Sequence, residues 1–219
     1  MTSEVLFGPE IAPHYEAWFE TDEGRRADRL EKALLGRLLE DLGPPGDLLE
    51  IGCGTGHFGR WLAGLGWRVW GVDVAAPMLA EAQARGDAGR LILGDAPQLP
   101  FAAGCCSVAA LITTLEFLPD AEAALREAWR VARRGLLVGA INRHSLLGWG
   151  YRQQAKKAPS VYSQAVFFSP RELEDLVRRT AGGPVVVHTA TTLWPRSLPL
   201  ERLRLPWGGF IGLVARRHT

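Results

Sequence analysis

The stretch Leu48-Leu49-Glu50-Ile51-Gly52-Cys53-Gly54-Thr55-Gly56-His57 decides the fold, because it reads as a buried strand running straight into a glycine-rich turn and then a helix. Gly52, Gly54 and Gly56 stand at alternate positions and remove the Cβ atoms that would stop the chain bending sharply or a ligand lying against it. Glu50 adds an acceptor at the mouth of the turn. The helix that begins at His57 points its free amide hydrogens, and the positive end of its dipole, at whatever the turn holds.

Working outward, a second apolar strand, Arg68 to Val72, ends in Asp73, whose carboxylate can accept two hydrogen bonds from a vicinal ribose diol. A third, Arg90 to Leu93, ends in Gly94-Asp95-Ala96. Acidic groups at the ends of successive parallel strands converge on one crevice, where open α/β sheets bind ligands. Helices over Ala76–Arg85, Ala121–Arg133 and Pro170–Thr180 alternate with strands over Val108–Thr113 and Leu136–Ile141. Strands over Val185–Thr189 and Phe210–Ala215 complete the pattern of a doubly wound sheet. Upstream, apolar positions Leu30, Ala33, Leu34 and Leu38 predict helices between His14 and Leu42, broken near Thr21-Asp22-Glu23-Gly24 and stopped by Gly43-Pro44-Pro45-Gly46.

The run from Leu48 to Ala96 resembles the S-adenosylmethionine (SAM) binding half of the class I methyltransferases of the broad small-molecule, type 11-like kind. The likeness continues more loosely through Ser107–Ala140 and Phe168–Leu173. It implies a Rossmann-like three-layer α/β/α sandwich whose seven-stranded, mostly parallel sheet has its last strand antiparallel. Residues 1–219 then form a single domain, with N-terminal lid helices over 1–43 and an insertion over 142–168 that shape the substrate pocket. The resemblance implies SAM as cofactor and S-adenosylhomocysteine (SAH) as product. It assigns Asp73 to the ribose, Asp95 to the adenine amino group and the Ala96 amide to a ring nitrogen. Val74 and Met78 become apolar walls of the adenine slot, or plain core. Gly52, Cys53, Gly54, Gly56 and Glu50 make the loop, with His57 near the cofactor carboxylate. Tyr15, with Trp18 and Phe19, caps the sulfonium or staples the first helix to the core.

Thr113-Thr114-Leu115-Glu116-Phe117 follows the fourth strand, where the family places residues beside the reactive methyl. Departures occur here: Ser107 stands where an aspartate is usual, and Glu116 and Phe117 where many members carry histidines. The Asn/Asp-Pro-Pro-Tyr/Phe signature of amino-directed DNA methylation is absent. Glu116 is read as a general base, a substrate clamp or an exposed helix-capping carboxylate. His144, past the fifth strand, is a second base candidate or a solvated loop residue. Trp149, Tyr151 and Tyr162, with Arg143 and Arg152, line a pocket for an aromatic or anionic acceptor, or pack a lid.

At 219 residues and 47% hydrophobic, the chain can bury a substantial core but has no room for a second substrate domain. A net charge of +1 gives no global attraction to nucleic acid or membrane, although Arg152, Lys156 and Lys157, and Arg196, Arg202 and Arg204, cluster locally. The expected partner is a small-molecule acceptor rather than nucleic acid or membrane, the expected assembly a monomer or homodimer, and the expected location the cytoplasm. Three cysteines suit neither a disulfide framework nor a zinc site, and no metal is expected. Three alternatives stay open at this point. One is a non-catalytic SAM-binding regulatory subunit, and another an RNA or protein methyltransferase. The third is a nicotinamide-dinucleotide site, since Gly54-Thr55-Gly56-His57-Phe58-Gly59 formally satisfies G-x-G-x-x-G.

Overall fold

The period-two alternation of the strands has a partner on each side of one sheet. In β1 (Asp47–Ile51) Leu48 packs on one face, whereas Leu49 and Ile51 pack on the other. β4 (Cys106–Ile112) behaves likewise, with Val108, Ala110 and Ile112 on the Leu48 face and Ala109 and Leu111 opposite. Helix α2 (Asp22–Leu39), through Leu34, Leu35 and Leu39, and α3 (His57–Gly64), through Phe58 and Leu62, cover the Leu48 face. Helices α5 (Ala121–Val131) and α7 (Pro170–Thr180) cover the other, with Leu125, Trp129, Leu173 and Val177 at its centre. The computed structural model describes residues 7–86, 90–157, 161–194 and 206–218, the side chains of 154–157 excepted.

The remaining strands are β2 (Arg68–Asp73), β3 (Leu91–Leu93), β5 (Ala132–Ile141), β6 (Val185–Thr192) and β7 (Phe210–Arg217), and the sheet order is β3-β2-β1-β4-β5-β7-β6. β1, β2, β3, β4 and β5 pair in parallel, and β7 runs antiparallel between β5 and β6. This is the three-layer sandwich expected from the sequence, with its last strand reversed. Between β1 and β4 the strand order changes direction, so the loops leaving their carboxyl ends diverge and open a crevice there.

Local chemistry sets the helix boundaries. Thr21 caps α2 by accepting from the Gly24 amide at 3.0 Å, and Asp120 caps α5 by accepting from Ala123 at 2.8 Å. Ser169 and Glu172 form a reciprocal capping box at α7. Before α2, a short helix α1 (Ala12–Tyr15) continues into a 3-10 turn over Glu16–Glu20. α4 (Ala76–Ala84) follows β2. The insertion after β5 contains helix α6 (Leu146–Lys157) and a 3-10 turn over Val161–Gln164. It closes on itself through a parallel bridge between Asn142 and Phe168. Arg196, Arg202 and Arg204, and the side chains of Lys156 and Lys157, lie outside the described residues. Among the described residues, no helix is long and apolar enough to cross a membrane.

Candidate active site

The turn after β1 is shaped by three left-handed glycines. Gly52 (φ +72°), Gly54 (φ +53°) and Gly56 (φ +77°) adopt backbone angles that side chains resist. At Gly52 space is also lacking: a Cβ there would stand 2.2 Å from Thr114 Cγ2. The Gly52 and Cys53 amides both donate to the Val72 carbonyl, at 2.7 and 3.1 Å, which draws the turn against the end of β2. Gly56 is the N-cap of α3 and supplies no side chain, so the first amides of that helix are left for other acceptors.

Asp73 completes this cradle. Its Oδ2 accepts from the Gly54 amide at 2.8 Å and its Oδ1 from the Ala75 amide at 2.9 Å, while burial raises its pKa against these lowering bonds. Each oxygen keeps a second lone pair for a ligand hydroxyl. Glu50 is buried, with Oε2 lying 2.7 Å from where a Cβ on Gly59 would sit, so the carboxylate rests on the glycine of the first turn of α3.

These groups line one cleft, together with Cys53, Val74, Met78, Asp95, Ala96 and Thr113. Thr113, at the end of β4, has φ +49°, a strained backbone for a β-branched residue held by the bond from its amide to the Gly139 carbonyl at 2.8 Å. Met78 serves two purposes, since it lines the cleft and also packs with Ala12 and Ala75 beneath α1. Gly56 alone of the loop residues expected at the ligand is absent from the wall; it turns the chain into α3 from behind.

The N-terminal segment is pinned across the cleft. Phe19 stacks on the His57 ring at 3.7 Å between centroids. His57 Nε2 lies 2.6 Å from Asp28 Oδ1 and 3.1 Å from Lys32 Nζ, and burial lowers its pKa. Glu16 pairs with Arg60 at 2.5 Å and with Arg85 at 3.6 Å, tying the 3-10 turn to α3 and to the end of α4. Tyr15 and His57 both line the cleft. Burial, with the charges of Glu31, Asp73 and Glu116, pushes the Tyr15 hydroxyl far above its ordinary range, so it remains neutral.

Beyond the cleft lies a chamber of about 1070 Å³ between the N-terminal helices and the insertion. Cleft and chamber share Phe7, Tyr15, Phe19, Phe58, Thr113 and Phe117 as walls. Tyr151 and Tyr162, stacked at 4.1 Å, form another wall of the chamber, and Trp18 stands at its edge. Trp149, Arg143 and Arg152 do not line it: Trp149 is exposed, and Arg143 pairs with Glu172 at 2.5 Å.

The two base candidates fall elsewhere. Glu116 is 1% exposed, which corrects the exposed-cap alternative, and it lines neither space. Its Oε1 accepts from the Ile141 amide at 2.6 Å, its Oε2 has no hydrogen-bond partner among the described residues, and burial pushes the carboxyl up to about 7. Its carbonyl takes the Val166 amide at 2.8 Å, so this residue ties the end of β4 to β5 and to the insertion. His144 is exposed and lines neither space; its amide donates to Asn142 Oδ1 at 3.0 Å. The sequence reading missed Glu31, a buried carboxylate on α2 that faces the chamber. Its signal was present, since Ala27, Glu31 and Leu35 share a helical face four residues apart and both neighbours are core.

Comparison with known proteins bears on the same residues. A family model described as a methyltransferase domain matches residues 49–138, from β1 into β5. An uncharacterised protein of Methanocaldococcus jannaschii is 31% identical over 214 residues, covering 95% of this chain and 97% of that one. A solved SAM-dependent methyltransferase of Thermotoga maritima shares 28% identity with a TM-score of 0.75, over 98% of this chain and 99% of that one. The chain belongs to the class I SAM-dependent methyltransferases. The fold likeness extends to the magnesium protoporphyrin IX methyltransferase of Synechocystis PCC 6803 with bound SAH, at 16% identity and TM-score 0.71, over 99% of this chain and 98% of that one. The methyltransferase is therefore an enzyme with SAM as its cofactor, and the nicotinamide-dinucleotide and purely regulatory alternatives fall away. Its cleft suits that cofactor: left-handed glycines, an uncapped helix N-terminus and a strand-end carboxylate meet at one crevice.

Proposed function

We propose that the methyltransferase acts on a small molecule held in the chamber, with SAM in the cleft and the reaction at their shared wall of Tyr15, Phe19, Thr113 and Phe117. The observation that carries this reading is the continuity of the cleft with an aromatic-walled chamber of about 1070 Å³ inside a single chain. That volume matches or slightly exceeds the roughly 300 to 1,000 Å³ of sites that enclose drug-sized ligands. A nucleic-acid acceptor would call for an open basic face instead. The T. maritima neighbour is a possible histamine N-methyltransferase, in keeping with a small acceptor.

When bound, SAM supplies a methyl group already activated on a sulfonium. What remains for the chain is to align, to exclude water and to manage a proton. Asp73 accepts from the ribose diol, Asp95 and the Ala96 amide read the adenine edge, and Val74 and Met78 wall the ring. The backbone at Gly52, Cys53 and Gly54 and the α3 N-terminus at His57 receive the methionyl end, with Glu50 as acceptor at the mouth. Tyr15, kept neutral by burial and lining the cleft, would cap the sulfonium. Phe19 and the Glu16–Arg60 pair close the segment over the cleft and keep water out. Glu116 positions rather than reacts, because its Oε1 holds the Ile141 amide and the residue lines neither space.

The test is SAH formation when the protein and SAM are incubated with a fractionated metabolite extract, total RNA or denatured protein in parallel. Turnover confined to the metabolite fraction is expected. Turnover on RNA or protein alone would overturn the small-molecule reading.

A further inference from the structure

The chamber holds an acidic group that the fold leaves without a partner among the described residues. Glu31 sits in the middle of α2, is 7% exposed and faces the chamber, yet among the described residues it makes no hydrogen bond and no ion pair. Its helix neighbours are otherwise engaged, with Asp28 and Lys32 bound to each other and to His57. A buried carboxylate without a partner is costly, and such groups are retained where something else pairs with them.

The surroundings indicate the sign of that partner. Asp22 and Glu23 also border the chamber, and the buried carboxylate of Glu116 lies close enough for its charge to be felt at Glu31. Among the described lining residues Arg26 is the sole cation, and its guanidinium donates to the Trp194 carbonyl at 2.7 Å. The walls facing Glu31 are aromatic, including Tyr15, Phe117 and the stacked Tyr151–Tyr162 pair. Ring faces and carboxylates attract the same ligand group, a cation on an apolar body. A neutral alcohol would gain no Coulomb energy there, and an anion would be repelled.

We propose that the chamber takes a protonated amine carried on an apolar body of aromatic size, and that Glu31 is the carboxylate that pairs with its ammonium. This rests on the chamber being the acceptor site of the methyltransferase. It adds the acceptor's chemical class and a specificity residue. Because burial holds Glu31 largely protonated in the free enzyme, with Asp28 and Glu116 raising and Lys32 lowering its pKa, docking of the ammonium drives a proton off the carboxyl. Tyr15 and Tyr151, which also feel the Glu31 charge, are pushed up by burial and hold their protons.

The experiment is calorimetry on the full chain saturated with SAH, near pH 7, in two buffers of different ionisation enthalpy. The probes are tryptamine, phenethylamine, the neutral indole-3-ethanol and the anionic indole-3-propionate. The amines should bind at least tenfold tighter than the alcohol, the propionate should not bind, and the heat should show proton release. Glu31→Gln should keep its SAH affinity and lose both the ammonium preference and the proton release, with Glu31→Asp retaining part of each. An alcohol that binds as well as the amines, a preference that survives in Glu31→Gln, or an SAH complex that takes none of the amines would overturn the proposal and leave the SAM site standing. Failure of the folded protein to bind SAH would instead remove the site reading on which it rests.

Discussion

Replacing Glu31 by glutamine should stabilise the ligand-free protein, by an amount that grows with pH. The carboxyl is buried without a partner among the described residues, and burial, reinforced by Asp28 and Glu116 and opposed by Lys32, pushes its pKa from 4.5 to about 8. A carboxyl with a raised folded pKa holds its proton more tightly in the native state than in the unfolded one. Its contribution is fully present below the unfolded value near 4.5 and is lost as pH rises through about 8. At about 1.36 kcal/mol per pH unit, the loss between about pH 5 and pH 8 comes to roughly 3 to 4 kcal/mol, and glutamine has no such titration. For a chain of this size about 1 kcal/mol moves Tm by roughly 2 to 4 °C, so the gap between variant and wild type should widen by about 7 to 14 °C over that interval. Thermal melts followed by circular dichroism at one-unit pH steps, without SAM, read this directly. Glu116, pushed up to about 7, titrates in both proteins, so the gap between the curves rather than either curve alone reads Glu31. A gap that stays flat, or narrows as pH rises, refutes the claim that Glu31 is buried as an unpaired acid.

The other predictions concern the cleft and the insertion. Asp73→Ala removes the proposed ribose acceptor and the loop bonds to the Gly54 and Ala75 amides, and should weaken SAH binding by about 1 to 3 kcal/mol. Unchanged affinity in a folded variant would take Asp73 out of the site. Asn142→Ala strips three bonds from a fully buried side chain, two donated to the Pro206 and Gly208 carbonyls at 2.8 Å and one accepted from the His144 amide. It should lower the unfolding free energy by about 2 to 4 kcal/mol in urea melts, because the carbonyls are left without their donor. A loss below about 0.5 kcal/mol would show that Asn142 does not hold the insertion to the loop before β7.

The frame of this protein was written locally, and the chamber was not. The end of β1, the start of α3 and both ends of α7 fall where the sequence places them, because each is set by signals a few residues long: the Gly52–Gly56 turn, and the Ser169-Pro170 start with its capping glutamate. The boundaries that moved are set by partners far along the chain. β5 starts at Ala132, inside the expected helix, because Ala132 pairs with Cys106 in β4; β6 runs on to Thr192 because Phe210 in β7 is waiting opposite. The same division runs through the site. Glu50, Asp73, Asp95 and Thr113 were legible because strand ends in a parallel sheet share one edge, so the topology delivers them to one crevice with little help from packing. Tyr15, Glu31 and the Tyr151–Tyr162 pair come from α1, α2 and the insertion, whose mutual placement depends on contacts such as Phe19 on His57 and Glu16 on Arg60 that no sequence period encodes. Glu31 breaks an otherwise apolar helix face, and on a surface of that kind a lone carboxylate is a conflict between local pattern and global fold. Such conflicts are tolerated where a ligand resolves them. The proposed substrate half of this methyltransferase is thus to be sought where the sequence departs from good packing, and the proposed cofactor half where it obeys the geometry of the sheet.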